Sequence, residues 1–192
     1  MKTGSFRDKL YTQIEIICFW KGVKMFQVGE KVVYGIHGVC NILGREESKE
    51  GGTDGDYLVL QPIDQENSRY LIPVGNPTAM GKIRKVLSRS EMDILLGSQS
   101  IRSGYFPEDE SQRKQMYRNL IGCNNREKLL QMVYVLYKHR ESLLKNGKRM
   151  HLCDENFLRD AEKLLLGEIS YIMEITREEA KQHLRRMLKD NQ

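Results

Sequence analysis

No two of the four cysteines in this chain (Cys18, Cys40, Cys123, Cys153) stand at zinc or redox spacing. Neither a metal centre nor a disulfide framework is expected, and a reducing cytoplasm is the default compartment. Long apolar runs are missing as well. The most apolar early stretch, Ile14 to Trp20, is short and contains Glu15, so it does not span a bilayer, and it lacks the cleavage site of a secretory signal. Histidines are few: His37, His139, His151 and His183. His151 and Cys153 superficially resemble a base and its nucleophile, but side chains two apart at a helix start do not face each other, and no third group orients them. His37 lies in a Gly-x-x-Gly turn and reads as structural. The glycine-rich Gly51–Gly55 lacks the lysine and following helix of a phosphate loop, and the carboxylates form no spaced pair. These absences argue against an enzyme, and no metal or cofactor is expected.

What is present is an ordinary globular composition, 40% hydrophobic and 30% charged over 192 residues, enough for one large domain or two small ones. The net charge of +5 is mild but uneven. Between Arg113 and Arg149 stand 10 Lys/Arg against only Glu127 and Glu141, a local net of 10 − 2 = +8. Such an excess in a helical region is either a solvated surface or the electrostatic footprint of phosphate binding.

Residues 1–24 show neither strand alternation nor a capped helix. They read either as an extension packing Trp20 on the body or as sequence upstream of a translation start at Met25, since Lys21–Met25 is encodable as a ribosome-binding site followed by a start codon. From Phe26 short β-rich runs alternate with turns: Lys31–Tyr34, the turn Gly35–Gly38, Val39–Leu43, a long turn Gly51–Asp56, Tyr57–Leu60, a reversal at Asp64–Asn67, and Arg69–Pro73. This spacing predicts a small antiparallel barrel over residues 25–87, a size that suits a binding module better than a buried catalytic pocket. Pro73 and Pro77 end the regular pairing.

Residues 88–192 read as helices. Ser88-Arg89-Ser90-Glu91 is a capping box with Gly97 at the far end. A helix is expected from Pro107 to Ile121, one capped by Asn125 and stopped by Asn146-Gly147, one capped by Asp154, and a last one after the capping box Thr176–Glu179. Leu129, Val133, Leu136 and Leu143, then Phe157, Leu158, Ala161, Leu164 and Leu165, form apolar stripes, which is core patterning. The expected fold class is α+β: a small Tudor/SH3-like antiparallel β barrel followed by an all-helical domain.

Phe26-Gln27-Val28-Gly29-Glu30-Lys31-Val32-Val33-Tyr34-Gly35-Ile36-His37-Gly38-Val39 resembles the opening of the CarD family of bacterial transcription regulators, whose polymerase-interacting domain also occurs in the transcription-repair coupling factor. The match continues in Tyr57–Leu60, Tyr70–Pro73, Gly147-Lys148, Ala161–Leu165 and Glu168. No helicase motor is evident, which favours the stand-alone regulator. The resemblance implies a Tudor-like barrel that binds the RNA polymerase β subunit by strand addition, with Ser48, Arg69, Tyr70 and Leu71 as the candidate contacts. It also implies a helical domain on promoter DNA at the upstream edge of the bubble, modulating open-complex stability, in a cytoplasmic monomer associated with the nucleoid through the polymerase. In many members a tryptophan wedges into the minor groove. Here the single Trp20 lies outside the matching region, and Tyr105 or Phe106 is the nearest candidate wedge, with core packing as the competing role. Arg113, Lys114 and Arg118 are neighbours on one expected helix and are the candidate phosphate contacts. A polymerase-independent nucleic-acid-binding or architectural protein is the alternative.

Overall fold

Short runs of valine, isoleucine, leucine and tyrosine bounded by turns drive the front of the chain into strands. The computed structural model describes residues 16–17, 26–48, 55–65 and 67–189, with the backbone alone for 16, 17 and 48. The two readings of residues 1–24 therefore lie outside the described residues, apart from β1 (Ile16–Ile17), which pairs antiparallel with β2 (Phe26–Gln27). A five-stranded antiparallel sheet follows in the order β6-β5-β4-β3-β7. Its strands are β3 (Lys31–Tyr34), β4 (Val39–Ser48), β5 (Gly55–Pro62), β6 (Tyr70–Pro73) and β7 (Ile83–Lys85). Val32, Cys40, Ile42, Leu58, Leu60 and Ile72 pack one core with Phe26, Met80 and Ile83. Burial pushes the Cys40 thiol up to about 12, so it behaves as a small apolar side chain.

Two features depart from the expected strand pattern. β4 runs five residues past Leu43, because a register shift between Ile42 and Gly44 lets it bend and keep pairing with β5 as far as Ser48↔Gly55. Gly55 and Asp56, expected in a turn, are thus strand. The second is β7, three residues with two cations, which alternation alone does not announce. It pairs with β3 after a short helix α1 (Pro77–Met80), capped by Asn76 Oδ1 accepting from the Ala79 N–H at 3.1 Å.

Five longer helices make the back half: α2 (Arg89–Gly97), α3 (Glu110–Gly122), α4 (Arg126–Lys145), α5 (Leu152–Met173) and α6 (Arg177–Lys189). Leu129, Leu130, Val133 and Leu136 of α4 and Leu158, Ala161, Leu165 and Ile169 of α5 are buried together with Leu184 and Leu188 of α6. Both expected capping boxes form: Ser88 with Glu91, and Thr176 with Glu179. Asn125 caps α4, and Gly147, at φ +67°, follows its end. Two helix starts differ from expectation. α3 begins at Glu110 rather than Pro107, capped by Asp109 Oδ1 accepting from the Gln112 N–H at 2.7 Å. α5 begins at Leu152, with His151 as its N-cap. Asp154, expected as that cap, lies inside the first turn and binds Arg113 instead.

The halves meet where β7 lies against the α3–α4 turn and α5. Glu168, fully buried on α5, accepts from Arg84 Nη1 at 3.0 and 2.7 Å and from Arg126 Nε at 2.8 Å. Asn124, at φ +54°, accepts from Arg84 Nε at 2.9 Å and donates to the Lys82 carbonyl at 2.8 Å. Arg126 also donates to the Lys85 carbonyl. Groups from the helical half therefore lie against β7, while β6 is the open edge among the described residues.

Candidate functional site

An open edge is defined by what its backbone groups face. Val74 N–H donates to the Asp56 carbonyl at 2.9 Å, and β6 pairs with β5 through Leu58↔Ile72 and Val59↔Leu71. Antiparallel hydrogen bonds alternate, so the narrow pairs are Asp56/Val74, Leu58/Ile72 and Leu60/Tyr70. The N–H and C=O of Leu71 then point away from β5, and among the described residues no strand pairs with them. The Leu71 side chain is 50% exposed, an uncommon state for leucine on an otherwise buried sheet. Arg69 is exposed two residues earlier in the same alternation. Ile72 points into the core. Of the four expected strand-addition residues, Arg69 and Leu71 flank the open edge. Ser48 is elsewhere, at the end of β4 beyond β5, and its side chain lies outside the described residues.

Tyr70 has a role that spacing did not reveal. Its ring lies 4.2 Å from that of His37, which stacks on Tyr34 at 5.3 Å and 14°. Three rings from β3, the following turn and β6 thus brace the start of the open edge. Desolvation, helped by nearby Lys82, lowers the His37 pKa, which favours the neutral ring the stack needs. The Gly-x-x-Gly turn placed His37 as structural, and the stack agrees.

The second surface surrounds residues 104–106. A Cβ added to Gly104 would come within 2.5 Å of Val135 Cγ2 and 2.9 Å of the Gln131 carbonyl, so this backbone lies directly on α4. Phe106 stacks on His139 at 4.0 Å, and the Arg113 guanidinium lies 4.7 Å from its ring centroid. It is a spacer packed against the helical core. Tyr105, between these anchored neighbours, is 70% exposed. The two aromatic candidates therefore separate cleanly: Phe106 packs and Tyr105 projects.

Arg113 is not a phosphate contact in this fold, which corrects the sequence reading. It is buried and grips buried Asp154 through Nε at 2.9 Å and Nη2 at 3.1 Å. Its Nη1 donates to the carbonyls of Pro107 at 2.8 Å and Glu108 at 3.1 Å. Lys114 pairs with Glu110 one turn back, and Arg118 is exposed. At about 100° per residue, Gln131, Val135 and His139 form the line on α4 that residues 104–106 cover. Lys128, Lys138 and Lys145 then flank that line, Lys138 with its ammonium 5.8 Å from the Tyr134 ring centroid. These lysines, counted in the basic block but not singled out, share the face of Tyr105.

His151 Nδ1 accepts from the Cys153 N–H at 3.3 Å, a capping contact at the start of α5. Among the described residues no group of three or more His, Cys, Asp or Glu is placed to hold a metal ion, and no helix is long and apolar enough to cross a membrane.

Residues 26–87 match the family model described as the CarD-like/TRCF RID domain. The match begins at β2 and ends two residues after β7, so it covers the five-stranded sheet with α1 and stops before α2. No curated protein matches the chain.

Proposed function

We propose that this chain, which carries a CarD-like/TRCF RID domain and hence a module for RNA polymerase interaction, is a bacterial transcription regulator that binds the polymerase β subunit through β6 and contacts promoter DNA through the Tyr105 face. The observation that carries the reading is the open β6 edge within the matched domain, with the backbone of Leu71 facing outward and its side chain exposed. Strand addition there supplies affinity through main-chain hydrogen bonds, while Arg69 and Leu71 supply selectivity. Docking raises the effective concentration of the helical domain at the promoter. Lys128, Lys138 and Lys145, with Lys114 and Arg118 on α3, neutralise backbone phosphates without reading sequence. Tyr105 then packs at an opened base step near the upstream edge of the bubble. Only a higher affinity for melted than for closed DNA shifts the open-complex equilibrium. In this reading the protein works as a cytoplasmic monomer, associated with the nucleoid through the polymerase, without cofactor or catalysis.

The test is capture of the host polymerase β lobe by the full chain, with Leu71→Glu and Arg69→Glu as variants at exposed positions. Both should weaken capture at least about tenfold, since Leu71→Glu puts a charge in place of an apolar edge contact and Arg69→Glu reverses the charge beside it. Tyr105→Ala should leave capture unchanged and shorten open-complex lifetime. A native chain that ignores polymerase yet binds duplex DNA would overturn this reading in favour of a polymerase-independent nucleic-acid-binding protein.

A further inference from the structure

The two proposed surfaces lie on different halves of the molecule, so their joint use depends on the angle between the halves. Among the groups that meet between the halves is one buried charged cluster. Glu168 is fully buried, yet both of its partners come from elsewhere: Arg84 from the sheet and Arg126 from the start of α4. The two guanidiniums converge on one carboxylate. Without it, two cations would stand side by side in a poorly solvated seam, which favours separation of the elements that carry them. Asn124 adds directional restraint, because it accepts from Arg84 of β7 and donates to the carbonyl of Lys82, the residue just before that strand. Its left-handed backbone places that amide toward the sheet. On the far side of α5, Arg177 reaches Asp64 of the sheet at 2.8 Å, but both are exposed, so that pair is screened and weak.

We propose that Glu168 is a positioning residue: by holding Arg84 and Arg126 together it fixes the angle between the β6 edge and the Tyr105 face, so that the two surfaces engage as one rigid span. This rests on the two-surface reading given above. A flexible tether would leave the helical domain to search a volume around the polymerase. A fixed span places Tyr105 at one distance from the docked edge, and the effective concentration at that distance is correspondingly higher.

The experiment uses the full chain with Glu168→Gln, which removes the charge and keeps the shape. Amide residual dipolar couplings in a neutral alignment medium report domain orientation on the protein alone. The native chain should fit one alignment tensor for residues 26–85 and 89–189, and the variant should need two. Its affinity for polymerase without DNA should stay within about twofold of native, while its affinity for polymerase on a melted promoter falls about tenfold or more. Asn124→Gly is the second variant should Glu168→Gln fail to fold, since glycine accepts the positive φ and only the side-chain bonds are lost. It should show the same pattern in weaker form. A single tensor in a folded Glu168→Gln protein, or two tensors with unchanged promoter-bound affinity, would overturn the proposal. A native chain that fits one tensor but does not bind polymerase would instead overturn the two-surface reading, with the fixed angle intact.

Discussion

Replacing Arg113 by methionine separates a structural arginine from a DNA-contacting one. Methionine keeps most of the aliphatic stem but leaves Asp154, 2% exposed, without its cation, and leaves the Pro107 and Glu108 carbonyls without a donor. Breaking a buried pair from one side typically costs about 3–5 kcal/mol. The lost guanidinium–Phe106 contact adds only about 0.5–2 kcal/mol, so the orphaned carboxylate dominates. For a domain of this size about 2–4 °C is lost per kcal/mol, and the expected drop in Tm is roughly 6–20 °C. Thermal unfolding followed by far-ultraviolet circular dichroism measures it. Arg113→Met combined with Asp154→Leu should recover most of the loss, because an apolar pair of similar volume leaves no buried charge. DNA affinity of the folded single variant, measured well below its Tm, should match native, whereas Lys138→Gln should weaken it. A loss below about 1 kcal/mol, the size of a surface pair, or a fall in DNA affinity at unchanged stability, would refute the assignment of Arg113 to the core.

Gly104→Ala should destabilise by about 1–3 kcal/mol, because the carbonyl of Gln131 is backbone and has no rotamer with which to yield; denaturant unfolding reads the loss, and native stability would show that residues 104–106 do not lie on α4. The lowered His37 pKa predicts a pH dependence with a definite sign. Its contribution is fully present above the ordinary histidine range, where folded and unfolded forms are both neutral, and declines as pH falls through that range toward the lower folded pKa, because the unfolded chain takes up the proton first. His37→Phe should keep the stack and flatten that part of a stability-versus-pH curve, and an unchanged slope would assign the dependence to another group.

Local chemistry was legible in the sequence; long-range pairing was not. Ser88 with Glu91, Thr176 with Glu179, and Asn125 at α4 lie within three residues of their partners, so spacing alone predicts them. Arg113 and Asp154 are 41 residues apart, and Arg84 and Glu168 are 84 apart, so nothing in either neighbourhood announces the pairing. Both failures have the same physical form. An arginine in a basic block looks like a ligand for phosphate until a buried carboxylate claims it, and Asp154 looks like a cap until the same pair pulls it into the first turn. β7 is not announced by its three residues because they pair with β3, far back in the chain, and are joined there by groups from the helical half. The aromatic pair 105–106 was legible as a candidate, but which ring projects depends on the closeness of Gly104 to α4.

The two edges of the five-stranded sheet differ in a way that bears on stoichiometry. On the β7 edge an arginine of the helical half donates to the Lys85 carbonyl, while among the described residues no strand pairs with the outer side of β6. A sheet with one usable edge accepts one added strand and then stops. With β7 engaged by the helical half, growth from both ends of the sheet is disfavoured, and head-to-tail filaments through it are not expected. The same edge can pair two copies of the chain, but only as a closed pair that uses up the strand a partner would need. Self-association through β6 and partner capture are therefore mutually exclusive, and raising the concentration of the chain alone would titrate one against the other.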